Sequence, residues 1–300
     1  MSGKRALRII QQTESRRYAP YVFLLTLALL CSLNLSQGSE VSANSTTVKL
    51  EVEPRIVGGT QIPSAHSYPF LARSAGCTAS LIWPDILISA GHCALTFTNG
   101  VYIGGILYDA SDAVFHAVSE VLVHPKYPGN VGPYDILLVK LSTASSAKFV
   151  NIPTPANAPE GTAVTVLGFG QTSSGGNLPY AARQVSVKVS NFKNCQALFS
   201  FEINNSLQFC TSSAGGKGSC QGDSGGPVLD SNGNLVGLVS LGAAVCTTPN
   251  MPNVNTRLST FRKWINSGIC SLSATPPTSC KRRLRLSHDE GAPEFTTNLH

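Results

Sequence analysis

The chain has 300 residues and a mass of 31.6 kDa, and its formal net charge at pH 7 is +6. Only 13% of its residues are charged, 42% are hydrophobic, and 27 are glycine and 18 proline. This composition excludes a disordered chain, a coiled coil and a helical bundle, and it favours an all-β, turn-rich protein. Residues 56–270 hold eleven Lys and Arg against nine Asp and Glu. A nucleic-acid-binding body would concentrate basic residues, so we expect no nucleic-acid partner.

The N-terminus has the order of a secretory signal peptide. Five Lys and Arg residues precede an apolar run over 21–35, and small residues follow that run. Basic, apolar and then small segments predict a signal peptide over 1–38 and therefore a secreted, extracellular protein. The alternative is an uncleaved signal anchor. The run is shorter than the roughly 20 apolar residues of a membrane span, and it already contains Ser32 and Asn34.

The nine cysteines fit an oxidising compartment. Cys31 lies in the apolar run and would leave with the signal peptide. Eight cysteines remain: Cys77, Cys93, Cys195, Cys210, Cys220, Cys246, Cys270 and Cys280. An even set in a secreted chain predicts four disulfides. No C-x-x-C pair occurs and only one cysteine has a histidine beside it, so we expect no zinc site. Asp109 and Asp112 do not form a clear calcium pattern, and we expect no metal and no cofactor.

From Ile56 onward the sequence predicts many short strands. Runs of β-favouring residues recur between Gly, Pro, Asn and Ser, and several alternate apolar with polar residues, as the run QVSVKV that begins at Gln184 does. Alternation with period two is typical of half-buried strands, and Asn232-Gly233 predicts a hairpin turn. One helix is predicted at 259–267, and the C-terminal extension, 271–300, is expected to be mostly flexible.

Three segments together indicate nucleophilic catalysis. They are SAGHC with His92, YDILLVKL with Asp135, and GDSGGP with Ser224. A serine hydroxyl needs a base to take its proton as it attacks, and an imidazole can accept that proton and return it to a leaving amine. A buried carboxylate orients the imidazole and stabilises its charged form. Each segment alone would more often be structural, whereas the three in this order predict a catalytic triad.

The same segments resemble the chymotrypsin/trypsin family of serine endopeptidases. The resemblance covers Ile56 to about Cys270 and includes RIVGG around Arg55, which resembles the family's activation site. It implies two six-stranded antiparallel β-barrels packed face to face, followed by a C-terminal α-helix. It also implies that 39–55 is an activation propeptide and that 56–270 is the protease domain.

The family resemblance gives each motif residue a role. It implies Ser224 as the nucleophile, His92 as the general base and then acid, and Asp135 as the orienting carboxylate. The N–H groups of Gly222 and Ser224 would form the oxyanion hole.

For activation, the resemblance implies cleavage after Arg55. The new amino terminus at Ile56 would then pair with Asp223, because a buried ammonium is stable only when it is paired. The resemblance also implies the disulfides Cys77–Cys93, Cys195–Cys210 and Cys220–Cys246, which leaves Cys270 and Cys280 to pair with each other.

The substrate pocket departs from the trypsin pattern. Gly218 stands where trypsin has the aspartate that binds Arg or Lys, so trypsin-like specificity is not expected. Ser240 and Gly242 match the substrate-binding strand, with Leu241 in place of the usual tryptophan. Asn253 aligns with a pocket-wall glycine and would narrow the pocket for a small, polar or medium apolar side chain. The alternative is that Asn253 lies on a loop surface.

We expect a monomer that acts on protein or peptide substrates, is activated by a separate trypsin-like protease and is a target for protein inhibitors. The sequons at Asn44 and Asn204 predict a glycoprotein. The alternative function is a catalytically silent homologue that serves as a binding or inhibitory module, since a fold alone does not establish activity.

Overall fold

The computed structural model describes residues 56–129, 132–243, 245–246, 248 and 250–280. The strands of the first half are β1 Thr60–Gln61, β2 Leu71–Arg73, β3 Thr78–Trp83, β4 Ile86–Ser89, β5 Val101–Ile103, β6 Val114–His116, β7 Val118–Val123 and β8 Leu137–Leu141. Those of the second half are β9 Ala163–Gly168, β10 Arg183–Lys188, β11 Gln208–Thr211, β12 Pro227–Leu229, β13 Leu235–Leu241 and β14 Asn253–Arg257. The α-helices are α1 Phe192–Gln196 and α2 Leu258–Leu272.

The strands form two antiparallel sheets that curve into half-barrels, which confirms the all-β class and the C-terminal helix. One sheet has the order β6-β5-β2-β3-β4-β8-β7 and the other the order β1-β10-β9-β12-β13-β14-β11. Each sheet therefore has seven strands where six were predicted. In the first sheet, only Ala117 separates β6 from β7. In the second, the seventh strand is the two-residue β1.

Alternate side chains of β10 face the core. Val185 and Val187 are buried, whereas Ser186 and Lys188 between and after them are exposed. The two valines join an aliphatic cluster with Val164, Val166, Val228 and Val236 from the neighbouring strands. The predicted hairpin is also present. Gly233 has a φ of 77° in the turn between β12 and β13, and its N–H donates to the Asp230 carbonyl at 3.0 Å.

The two sheets meet where the sequence motifs lie. The Thr78 N–H at the start of β3 donates to the Ser224 carbonyl at 2.8 Å. A shared apolar core contains residues of both sheets and of α2, among them Leu138, Leu238 and Ile265. The junction between the sheets is therefore a packed seam.

The C-terminal helix is longer than predicted. Residues 273–280 follow it and pack against the first sheet, and we call them the docked segment. α2 buries Phe261, Ile265 and Ile269 and ends at Leu272. Beyond it, the Thr275 carbonyl accepts a hydrogen bond from the Trp83 indole at 2.9 Å. Residues 281–300, and the leader and propeptide over 1–55, lie outside the described residues. No helix among those that are described is long and apolar enough to cross a membrane.

All four expected disulfides are present: Cys77–Cys93, Cys195–Cys210, Cys220–Cys246 and Cys270–Cys280. The last of them ties α2 to the docked segment. Such cross-links restrict the unfolded state and so stabilise the fold.

The docked segment is held by the buried Asp85, which is 1% exposed. Its carboxylate pairs with Lys140 and accepts hydrogen bonds from the Ser273 hydroxyl at 2.7 Å and the Ala274 N–H at 2.8 Å. Burial raises the pKa of Asp85, but the hydrogen bonds from Lys140, Ser273 and Ala274 outweigh it and hold the pKa below its ordinary value.

Asp85→Ala should lower the free energy of unfolding by about 3 kcal/mol, because Lys140 would keep a largely buried charge without its partner. Urea unfolding at pH 7 measures the loss. A carboxyl group whose pKa is lowered in the folded protein stabilises the fold only above its unfolded-state pKa. The difference in free energy of unfolding between wild type and Asp85→Ala should therefore shrink as the pH falls below about 4. A loss under about 0.5 kcal/mol at pH 7 would contradict the anchoring role.

Candidate active site

His92 lies in a 3₁₀ helix, Gly91–Phe97, directly after β4, and the neighbouring Cys77–Cys93 disulfide fixes that helix to β3. The His92 Nδ1 lies 2.8 Å from Asp135 Oδ2, and the His92 N–H donates to Asp135 Oδ1 at 2.9 Å. The His92 side chain is 23% exposed, whereas that of Asp135 is fully buried. One carboxylate oxygen therefore holds the imidazole and the other holds the His92 backbone, while part of the ring stays open to solvent.

Asp135 precedes β8 and is supported from the opposite sheet. The Ser240 hydroxyl of β13 donates to Asp135 Oδ2 at 2.6 Å, and the Thr256 hydroxyl of β14 donates to the Asp135 carbonyl at 2.8 Å. The hydrogen bond from Ser240 helps to offset the cost of burying the carboxylate, and the one from Thr256 fixes the backbone of Asp135. Nearby, burial and, to a smaller extent, the charge of Asp135 raise the pKa of Tyr127 to about 12.

Ser224 lies in a tight turn between two glycines with positive φ, Gly222 at 98° and Gly225 at 74°. A methyl group on Gly225 would overlap the Thr78 carbonyl and the Ser89 hydroxyl, so the turn can pack against the first sheet only with glycine at this position. Ser224 and His92 line the same cleft of about 250 Å³. No hydrogen bond joins their side chains in the described part of the chain. In the absence of substrate, catalytic hydrogen bonds are often long or open.

Two backbone N–H groups at this turn are available to a ligand. Among the described residues, neither Gly222 nor Ser224 donates its N–H to another group, whereas the Asp223 N–H between them donates to the Cys220 carbonyl at 3.0 Å. The Thr78 hydroxyl holds the Gly222 carbonyl at 3.0 Å. Unpaired N–H donors beside a nucleophile are suited to binding an oxyanion once their position is fixed.

Asp223 points away from the cleft and is fully buried. Its two carboxylate oxygens accept hydrogen bonds from the Gly170 N–H and the Cys220 N–H, each at 2.8 Å. Methyl groups on Gly168 or Gly170 would overlap this carboxylate. Burial raises the pKa of Asp223 to about 7, against the lowering effect of the two hydrogen bonds. The carboxylate thus occupies a site that favours its neutral form unless a cation arrives.

Ile56 lies in the aliphatic cluster of the second sheet and is completely buried. Its φ is 26°, a left-handed conformation that is strained for a β-branched residue. Its carbonyl accepts a hydrogen bond from the Gly59 N–H at 2.6 Å. Arg55 itself lies outside the described residues.

The predicted pocket residues converge on Asn253. This residue begins β14, is 7% exposed, and its side-chain amide lies between Gly218 and Gly242. A methyl group on Gly218 would overlap the Asn253 Nδ2, and one on Gly242 would overlap the Asn253 Oδ1. Asn253 is therefore a buried strand residue and does not lie on a loop surface.

Three supporting groups were missed by sequence reasoning: the hydroxyls of Thr78 and Thr256, and Gly170. Each acts on a motif residue more than 50 positions away, so no local spacing could reveal it. Ser240 was predicted only as a substrate-binding residue, yet its hydroxyl also holds Asp135.

The burial of Asp223 predicts an unusual pH dependence in the uncleaved chain. A folded-state pKa of about 7, against an ordinary value of 3.8, means that the folded chain binds more protons over that range. The free energy of unfolding should therefore fall as the pH rises from about 4 to 7, by about 1.4 kcal/mol per pH unit at the steepest. Asp223→Asn should remove this fall. Urea unfolding of both proteins from pH 4 to 8 measures it, and a pH-independent difference would contradict it.

Comparison with known proteins agrees with this geometry. The family model described as Trypsin matches residues 56–265. "Trypsin" of Xenopus laevis is 37% identical over 235 residues, which span 75% of this chain and 94% of that protein. "Serine protease 1" of Rattus norvegicus is 35% identical over 233 residues, which span 74% of this chain and 93% of that protein.

Among solved structures, the mouse brain serine protease neuropsin matches with a TM-score of 0.64 and 26% identity. The match covers 70% of this chain and 98% of that one. Family model, relatives and fold agree, and the chain belongs to the trypsin family of serine endopeptidases.

Proposed function

We propose that the protein hydrolyses peptide bonds through an acyl-enzyme formed on Ser224. The observation that carries this proposal is the contact between the buried Asp135 carboxylate and the imidazole of His92. His92 lines the same cleft as Ser224. The hydrogen bond to Nδ1 fixes the tautomer, and Nε2 remains free to serve as the base.

In the proposed reaction, the Ser224 hydroxyl attacks the scissile carbonyl carbon and its proton passes to His92. The N–H groups of Gly222 and Ser224 bind the negative oxygen of the tetrahedral intermediate. Breakage of the C–N bond releases the amine, which takes the proton from His92. Water then attacks the ester carbon while His92 accepts a proton from it. The C–O bond to Ser224 breaks, His92 returns the proton to the serine oxygen, and the carboxylic acid product leaves.

Active-site labelling tests this function. After cleavage behind Arg55, a fluorophosphonate probe should label the wild-type protein and leave Ser224→Ala unlabelled. Equal labelling of the two proteins would contradict the proposal. A wild-type chain that is cleaved and folded yet does not react would favour the alternative, a catalytically silent homologue that acts as a binding or inhibitory module.

We also propose that the protein is made as a zymogen. The strained Ile56 and the buried Asp223 support this proposal, because cleavage after Arg55 would free the backbone from its unfavourable φ and create an ammonium group at Ile56. An ion pair between that ammonium and Asp223 would satisfy a carboxylate whose burial otherwise raises its pKa. Asp223 is joined directly to the proposed oxyanion-hole residues, so its position governs theirs.

The pocket supports cleavage after small residues. The amide of Asn253 occupies the space between two glycines, and no carboxylate stands at Gly218 to bind Arg or Lys. A side chain that enters beside Ser240 and Gly242 meets this amide early, so we propose that alanine-sized and small polar residues are accepted.

Asn253→Gly should open the pocket. Activity toward substrates with Leu or Phe at the cleaved residue should rise about ten- to hundredfold relative to Ala. Room for one or more additional methylene groups in a pocket changes the preference between substrates by about this factor. Ratios of kcat/KM for matched substrates measure the change. Asn255→Gly, two residues along the same strand, is the matched control and should leave the ratios unaltered. Unchanged ratios in Asn253→Gly would contradict the assignment.

For the remaining expectations, we propose a secreted monomer that loses 1–38 as a signal peptide and carries N-linked glycans. The four disulfides support an oxidising compartment. N-terminal sequencing of material from the culture medium separates a cleaved signal from a retained anchor. Protein inhibitors and a trypsin-like activator are the expected partners.

A further inference from the structure

A second and much smaller cavity, of about 10 Å³, borders the Ser224 turn, and an arginine forms part of its wall. The cavity is lined by Arg73, Gly76, Cys77 and Leu178 together with Gly222. The guanidinium of Arg73, at the end of β2, lies 4.6 Å from the ring centre of Tyr108, 5.5 Å from that of Tyr102 and 5.9 Å from that of Phe169. Stacking against rings fixes a guanidinium while leaving its N–H edges free to bind a partner.

These N–H edges have no protein partner in the described chain. No carboxylate there forms an ion pair with Arg73, and its buried Nε has no acceptor. The nearby Asp109 is engaged elsewhere, since its Oδ1 accepts hydrogen bonds from the Ser111 N–H and hydroxyl. Those hydrogen bonds lower the pKa of Asp109 more than the charge of Arg73 does. A guanidinium that is fixed in place and has no protein acceptor can bind an incoming anion.

The position of the cavity tells which part of a substrate would meet it. In the proposed function, the cleft that contains Ser240 and Gly242 receives the residue on the acyl side of the cleaved bond, and Ser224 lies in its wall. The cavity at Gly76, Cys77 and Gly222 borders the same turn without including those pocket residues. A peptide bound across Ser224 therefore places its leaving-group side there.

We propose that Arg73 selects substrates with an acidic side chain in one of the first two residues after the cleaved bond. This inference rests on the proposed function. The planar guanidinium would donate charge-assisted hydrogen bonds to an Asp or Glu carboxylate at the mouth of this cavity. The expected preference for Glu over the isosteric Gln is about tenfold, as for a hydrogen bond to a charged group.

Acyl transfer measures this side of the site directly. The activated enzyme is acylated with the alkyl ester that it hydrolyses fastest, and an amidated dipeptide competes with water for the acyl group. The dipeptide amine attacks the Ser224 ester, a C–N bond forms, the C–O bond to Ser224 breaks, and the amine proton passes through His92 to the serine. The nucleophiles are Glu-Ala, Gln-Ala, Ala-Glu and Ala-Gln amides, so only a side chain supplies the carboxylate.

Wild type should prefer Glu at one of the two positions, and Arg73→Gln should abolish that preference. Arg73→Lys should keep part of it, since the charge remains without the planar fork. Lys193 is exposed on α1, and Lys193→Gln removes one positive charge, as Arg73→Gln does. This control variant should behave as wild type. Hydrolysis of the ester, which has no leaving peptide, should be equal in all four proteins and shows that each is folded.

Two results would overturn the inference, and they differ from each other. A normal ester rate without a Glu preference, or with a preference that persists in Arg73→Gln, overturns the role of Arg73 alone. Failure of activated wild type to hydrolyse any ester overturns the proposed function and this inference with it.

Discussion

Replacing Asp135 with asparagine should lower kcat by about 10⁴-fold, the loss that follows when the triad carboxylate of this family is neutralised. Asp135 holds both the ring Nδ1 and the backbone N–H of His92. An amide in its place can present an N–H toward Nδ1 and so stabilise the wrong tautomer, with the proton on Nε2. His92 then cannot accept the proton of Ser224.

The measurement is kcat and KM for a small ester or amide substrate after activation. KM should change little, because Asp135 is buried behind His92 and does not face the cleft. Asp230→Asn, the same chemical change in the turn between β12 and β13, should leave kcat within about twofold. A kcat for Asp135→Asn within tenfold of wild type would show that the pair with His92 does not serve catalysis.

Replacing Arg55 with glutamine should leave a chain that trypsin cannot activate, with activity at least about 10³-fold below that of the processed wild type. Without a free amino terminus at Ile56, the buried Asp223 has no cation and the N–H groups on either side of it lose their fixed position. Loss of a single oxyanion-hole donor already costs about 10²- to 10³-fold in kcat.

Activity before and after trypsin treatment, with N-terminal sequencing, measures this effect. Processed wild type should begin at Ile56, and Lys49→Gln, which removes the other basic residue of the predicted propeptide, should activate normally. Because the proposed pocket holds Asn253 and has Gly218 in place of a carboxylate, purified wild type should not convert itself. Efficient self-conversion that Ser224→Ala abolishes would contradict the proposed pocket, and full activity of Arg55→Gln would contradict the zymogen.

Local pattern predicted much of the fold, and tertiary packing explains where it fell short. Alternation in β10 and the Asn232-Gly233 turn were readable because both are local. The extension of α2 to Leu272 was not, because Gly268 reads as a helix breaker. In the structure Gly268 leaves room for the Leu138 side chain, since a methyl group there would overlap it. Packing therefore overrides helix propensity at this position.

The candidate site likewise contains residues that local motifs predict and residues that only the tertiary structure reveals. His92, Asp135 and Ser224 were found because each lies in a short motif, whereas their supports come from distant strands. The loop after Cys246 makes the alignment of Asn253 ambiguous, so the sequence alone placed this residue either in a pocket wall or on a loop surface. Its place between Gly218 and Gly242 follows from the pairing of β14 with β13 and β11, which sequence spacing does not fix.

The acyl-enzyme on Ser224 is the central claim, and trapping it is the most direct test. Activated protein is mixed with a slowly deacylating ester, quenched in acid and mapped by peptide mass spectrometry. The expected result is one acyl group on the peptide that contains Ser224, present in wild type and absent from Ser224→Ala. Continued turnover with the acyl group on another residue, or turnover by Ser224→Ala at the wild-type rate, would contradict it.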